Sequence, residues 1–172
     1  LTLSIEPTRT SLGEKVGESY PLYWSEGDKI AVNGTPSDEA NIDTTNRAVA
    51  HFTFGEELRY PLSIVYPYAA TTTSTQTVVI PSVQHYTEGT FSPLSAPMCG
   101  YVENSSEKAT LKHLVGLLKL SIVGNKEGIV LDKVVITSTN GAKLSGEFTV
   151  NCSAGTMTAC ESASKSITYS LP

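Results

Sequence analysis

The chain has 172 residues, room for one domain or at most two of about 100–200 residues each, and a chain of about 150 residues hides roughly two-thirds of its unfolded surface. Its formal net charge is −5 and only 17% of its residues are charged. That balance lacks the clustered basic face that a nucleic-acid partner requires. No stretch reaches the roughly 18 apolar residues of a membrane-spanning helix. The longest apolar run, Leu114 to Val123, is broken by Gly116, Lys119 and Ser121.

Apolar residues recur mostly with a period of two, the mark of half-buried strands. Leu1, Leu3 and Ile5 alternate with Thr2, Ser4 and Glu6. Thr8 to Ser19 has little apolar content and is expected to cross the surface. Trp24 then closes a short segment that begins at Tyr20, and Glu26-Gly27-Asp28 makes a tight turn, in which Asp28 is expected to accept hydrogen bonds from turn N–H groups. Ile30 and Val32 open the next alternating strand. Thr35 to Arg47 is polar, with Pro36, Asp38, Glu39, Asn41 and Asp43, and reads as a surface loop.

Phe52 with Phe54, then Leu62, Ile64 and Tyr66, continue the alternation. Thr71 to Thr75 reads as a loop or an exposed edge strand. Val78 and Ile80 lead to Pro81, which stops a ladder because it has no N–H to give. Further on, Leu118, Leu120 and Ile122 face one side and Lys119 and Ser121 the other. Ile129 to Thr137 and Leu144 to Val150, with Phe148 inside, complete the series. His113 to Lys119 is the best helix candidate, but Val115, Gly116 and the β-branched residues after it favour strand. Turn chemistry separates the segments at Asn33-Gly34, Glu88-Gly89, Asn125 to Gly128, Asn140-Gly141 and Ala154-Gly155. Strands at this spacing predict an all-β, antiparallel sandwich or barrel with few or no helices.

Groups that do chemistry are not brought together along the sequence. His51, His85 and His113 sit in no motif; His51 reads as a surface or edge residue, His85 as a loop residue and His113 as a semi-buried structural histidine. There is no Gly-x-Ser-x-Gly elbow and no phosphate-binding loop. Asp38, Glu39 and Asp43 lack the spacing of a calcium loop. Cys99, Cys152 and Cys160 match neither a metal site nor a disulfide framework. With Ala154-Gly155 as a hairpin tip, Cys152 and Cys160 fall about three residues out of register, near 10 Å apart at about 3.3 Å per residue, beyond the roughly 7 Å that a disulfide bridges. Free thiols are therefore expected, with no enzyme activity, no cofactor and no metal. Tyr20, Tyr23 and Trp24 cluster, as do Tyr60, Tyr66 and Tyr68. They fit core packing with hydroxyls at the rim, and Tyr23 and Tyr68 are the candidates for an exposed aromatic platform that stacks sugars.

Taken in order, these landmarks resemble the fimbrillin family of Bacteroidetes, the type V surface pilins and their Mfa-like relatives. The matching residues are Thr8-Arg9-Thr10 after a first strand, and Trp24-x-x-Gly27-Asp28-x-Ile30-x-Val32. They continue with Tyr66-Pro67-Tyr68 and its following alanine pair, then Ile80-Pro81 with Gln84, then Pro97-Met98. His113-Leu114-x-Gly116-Leu117-Leu118-x-Leu120-x-Ile122 and Leu144-Ser145-Gly146-x-Phe148 close the series. Each piece is a short turn-and-strand pattern, and the ordered series spans nearly the whole chain.

The resemblance implies a transthyretin-like, Greek-key β-sandwich over 1–160, with 161–172 as the start of a linker or second β domain, the chain being a piece of a longer exported lipoprotein. It implies a cell-surface fimbrial subunit or adhesin of the outer membrane, touching the membrane only through an upstream lipid anchor. Its partners are other fimbrial subunits, with a host protein or glycan receptor as a further class, and no nucleic acid. In polymerising members a protease cuts after an arginine that follows the first strand, and a neighbour's strand fills the groove left behind. Here that cut would follow Arg9, and the exchangeable strand would carry Leu1, Leu3 and Ile5. Burying each such side chain stabilises by roughly 1.5–3 kcal/mol, so the strand would stay in place until cleavage. A glycan-binding surface lipoprotein module of similar fold is the alternative reading.

Overall fold

Alternating residues settle as short strands at intervals along the chain. The structure is a computed structural model that describes residues 2–6, 11–12, 22–68, 76–88, 90–106, 108–124 and 126–172. Its strands are β1 (Thr2–Glu6), β2 (Ser11–Leu12), β3 (Leu22–Tyr23), β4 (Ala31–Val32), β5 (Thr35–Pro36), β6 (Asn41–Ile42), β7 (Ala50–Thr53), β8 (Leu62–Tyr66) and β9 (Thr77–Ile80). They continue with β10 (Val83–His85), β11 (Met98–Val102), β12 (Ala109–Thr110), β13 (Lys112–His113), β14 (Lys133–Thr137), β15 (Gly146–Asn151), β16 (Thr156–Ala159) and β17 (Ser166–Ser170). The only helical turn among the described residues is 3-10, Pro93–Ser95.

The all-β, mainly antiparallel architecture expected from the sequence is the one observed, and it is sandwich-like. A five-stranded sheet, in the order β13-β11-β8-β4-β5, is covered on both faces. On one face Trp24, Ile30, Val32, Leu62, Ile64, Tyr66, Met98 and Val102 pack with Ala50 and Phe52 of β7 and with Ala109 of β12. That brings the four-stranded sheet β12-β1-β7-β6 against it. On the other face Val65 and Cys99 pack with Val78, Ile80, Phe148, Val150 and Cys152, which belong to or adjoin the sheet β16-β15-β9. The sandwich therefore carries a third layer. The reason is legible in β8, where Ile64 faces one core and Val65 the other, the unbroken apolar run of a strand buried on both sides.

Turn chemistry fixes the hairpins. Asn33 (φ 48°) and Gly34 (φ 89°) both take the left-handed conformation, the two-residue turn that matches strand twist, and β4 pairs with β5 across it. Pro81 ends β9, and β10 joins a separate sheet, β10-β17-β14. The peptide bonds before Pro61 and Pro67 are cis.

Three expectations are corrected. Thr35 to Arg47 is not simply a surface loop: it contributes β5 and β6, the rim strands of two sheets, so it carries the chain from one layer to the next. The strand expected over Leu118 to Ile122 is absent. Residues 114–124 form neither strand nor helix, and Leu117, Leu118, Leu120 and Ile122 stand 50–67% exposed. A period-two pattern becomes a strand only where another strand satisfies its backbone groups, and the described residues offer none. The stretch 161–172 contributes β17, which lies between β10 and β14, fully registered with β14 from Thr137↔Ser166 to Lys133↔Ser170. The β15–β16 hairpin pairs Val150 with Met157 and Asn151 with Thr156, two residues off the register set by an Ala154-Gly155 tip, because Cys152 already belongs to the turn. Thr8, Thr10, Tyr20, the alanine pair at 69–70 and Thr71 to Thr75 lie outside the described residues.

Candidate functional site

The first strand is an interior strand, not a rim. β1 runs antiparallel to β7, with Thr2↔Thr53, Leu3↔Phe52, Ser4↔His51 and Ile5↔Ala50 as partners. On its other side it runs parallel to β12, with Ile5↔Ala109 and Glu6↔Thr110. Leu3 thus stands in register with Phe52, and Ile5 with Ala50 and Ala109; Phe52, Ala50 and Ala109 are core residues almost wholly removed from solvent. Taking β1 away would leave two ladders unpaired, one on β7 and one on β12, over an apolar floor. Leu1 and Arg9 lie outside the described residues.

The floor of that slot is braced by the turn at 24–30. Trp24 is fully buried, and its ring meets Phe52 edge-on at 5.1 Å and Tyr66 edge-on at 5.4 Å, the arrangement that ring quadrupoles favour. Gly27 takes φ +82°, so the turn uses the left-handed conformation that glycine adopts without strain. This lets Asp28 fold back. Its Oδ2 accepts from the Ser25 N–H at 2.7 Å, and its Oδ1 accepts from the Tyr66 hydroxyl at 2.8 Å in the interior. The Ile30 N–H donates to Ser37 Oγ at 3.0 Å, and the Trp24 N–H to the Arg47 carbonyl at 3.1 Å. A buried carboxylate is tolerated only with donors of this kind. Trp24, Gly27, Asp28 and Ile30 together hold a turn, and the aromatic chain Tyr66–Trp24–Phe52 links it to the strand that pairs with β1.

Other sequence-derived candidates are dispersed. His51 lies on β7, His85 on β10 and His113 on β13, three different sheets. His85 is a strand residue rather than a loop residue, since β10 pairs with β17, and His113 sits on the rim strand β13, where an exposed surface is combined with enough desolvation to lower its pKa. Among the described residues no three His, Cys, Asp or Glu side chains converge as metal ligands would. The acidic loop is already engaged: Asp38 accepts from the Thr53 hydroxyl at 2.6 Å, Glu39 lies 3.6 Å from Lys29, and Asp43 Oδ1 accepts from the Thr45 N–H, the Thr45 hydroxyl and the Asn46 N–H. Those bonds, the Thr45 hydroxyl first, hold the Asp43 carboxyl below its ordinary range.

The aromatic candidates differ in exposure. Tyr66 is buried, the Arg47 guanidinium sits over the Tyr23 ring at 5.5 Å, and Tyr68 is half-buried. The exposed tyrosines among the described residues are Tyr60 and Tyr86.

Two features of the slot carry no clear sequence signal. Ala109–Thr110 is too short to signal its pairing by periodicity, yet it forms the parallel wall of the slot. Gly100 on β11 lies so close to that wall that a Cβ there would sit 2.7 Å from the Thr110 carbonyl oxygen. Comparison of the chain with protein-family models, curated proteins and solved structures finds no match.

Proposed function

We propose that the chain is a structural subunit or adhesin of a cell-surface fimbrial assembly, joined to its neighbours by strand exchange after its first strand is removed. The observation that carries this reading is the placement of β1: the strand nearest the N-terminus fills an interior slot, antiparallel to β7 and parallel to β12. A single backbone cut beyond Glu6, at Arg9 in this sequence, would free the whole strand. An extended segment from another subunit could then take both ladders and present alternate side chains to the buried Phe52, Ala50 and Ala109. The exposed apolar run at Leu117, Leu118, Leu120 and Ile122 adds support, because a solvent-facing patch of this kind marks a surface that assembly covers.

Limited proteolysis of the full-length protein with a trypsin-class protease tests the proposal. Mass spectrometry is expected to show trimming after Arg9, and gel filtration and detergent-containing gels to show high-mass, detergent-resistant species. A synthetic peptide with the sequence of residues 1–9 in excess is expected to suppress them. A trimmed chain that remains monomeric at every concentration, with or without the peptide, would overturn the reading.

A further inference from the structure

Two of the three thiols meet at the boundary between the middle sheet and the outer sheet β16-β15-β9. Cys99 lies on β11, where its register partners are Val65 of β8 and Lys112 of β13. Cys152 follows the last ladder residue of β15 and opens the turn to β16. Its Sγ lies 3.6 Å from the carbonyl oxygen of Ile64, the residue just before Val65. Both cysteines are in the same apolar cluster, with Val65, Val78, Ile80, Phe148 and Val150. The turn is seated over this spot: a Cβ on Gly155 would lie 4.0 Å from Cδ of Lys112, the partner of Cys99. Both cysteines are almost entirely removed from solvent, and both are free thiols.

We propose that Cys99 and Cys152 are the two halves of a disulfide that forms under oxidising conditions and staples the outer β15–β16 hairpin to the middle sheet. The oxidant is a small-molecule disulfide of the glutathione class. Cys99 is the attacking sulfur: it stays opposite Lys112 of β13 when the hairpin is undocked, and that ammonium favours its thiolate. In the first step the Cys99 thiolate bonds to one sulfur of the oxidant, whose S–S bond breaks and releases one thiolate. In the second step Cys152 gives up its proton to that released base and attacks the Cys99 sulfur of the mixed disulfide, displacing the second small thiol. The protein loses two electrons and two protons, and the oxidant becomes two thiols. Because the pair is buried, exchange takes place while the hairpin is undocked, either as the chain folds or when the hairpin opens.

Cys160 is not part of this pair; its Sγ lies 3.8 Å from the Thr149 hydroxyl. The proposal is independent of strand exchange, since neither cysteine touches β1, β7 or β12 by register.

The test uses the full chain with Cys160→Ser, which keeps both members of the pair. The protein is unfolded and reduced, then refolded in a buffer of oxidised and reduced glutathione, and its free thiols are blocked in denaturant. Both thiols are expected to resist alkylation. A tryptic digest is expected to contain peptide 60–108 joined to peptide 144–165, separable by reductant. Closing a loop of about 50 residues should raise the melting temperature of the oxidised form by about 10 °C over the reduced form. Two alkylatable thiols after oxidative refolding, or a glutathione adduct on either cysteine without the joined peptides, would overturn the proposal. So would wild-type protein in which Cys160 takes the place of either partner.

Discussion

Tyr66→Phe removes one oxygen atom and nothing else from the turn that braces the first-strand slot. The ring keeps its edge-on packing against Trp24, so the change isolates the 2.8 Å hydrogen bond from the Tyr66 hydroxyl to Asp28 Oδ1. Asp28 is buried, and a hydrogen bond to a charged group there contributes about 1.5–3 kcal/mol, most of it the cost of leaving the carboxylate oxygen short of a donor. At about 2–4 °C per kcal/mol for a chain of this size, the melting temperature should fall by about 3–12 °C. Urea unfolding followed by circular dichroism is the assay, and the midpoint should drop with an unchanged slope. A double-mutant cycle with Asp28→Asn should give a coupling of about 1 kcal/mol between the two positions. A Tyr66→Phe effect under about 0.5 kcal/mol, or full additivity in the cycle, would show that the hydroxyl does not hold the turn.

Four further outcomes are expected. Gly100→Ala would place a methyl group 2.7 Å from the Thr110 carbonyl oxygen and 2.8 Å from Leu111 Cδ2, and should cost about 1–3 kcal/mol in the same urea assay. Gly116→Ala, with nothing within 4 Å, should stay within about 0.5 kcal/mol. Trp24→Ala should cost about 3–5 kcal/mol; Trp24→Phe should cost clearly less, because it also removes the buried Nε1–H, which has no hydrogen-bond partner among the described residues. Ser substitutions at Leu118, Leu120 and Ile122, which are 50–67% exposed, should leave folding stability within about 0.5 kcal/mol each while lowering binding of a hydrophobic dye.

Asp43 gives a pH-dependent outcome. Its folded pKa is depressed, so its contribution is fully present above the ordinary aspartate value and is lost as pH falls through the lowered folded value. A carboxyl-carbon NMR titration should place its midpoint below 3.8, and Thr45→Ala should move that midpoint back upward.

Much of the strand order could be read from local pattern. Asn33-Gly34 announces its own hairpin, because two consecutive left-handed residues suit that pair and few others. The alternation at Phe52, at Leu62 to Tyr66 and at Val78 to Ile80 survives as β7, β8 and β9. What local pattern does not carry is which strands meet. β1 and β12 are joined by parallel pairing across roughly a hundred residues, a relation with no footprint in either segment. The same holds for Cys99 and Cys152, which become neighbours only when a third layer settles on the middle sheet. Leu118 to Ile122 shows the opposite failure: its alternation is clear, yet the described residues provide no strand beside it, so pattern alone does not make a ladder.

The rims of the middle sheet are as telling as its centre. One margin is two residues long and ends in Pro36, which has no amide hydrogen to offer a stranger; the opposite margin is equally short and bears the cationic Lys112. Short borders with a proline or a lysine discourage sideways growth of a sheet. A protein guarded in this way resists clumping flank to flank through that sheet, whatever its concentration.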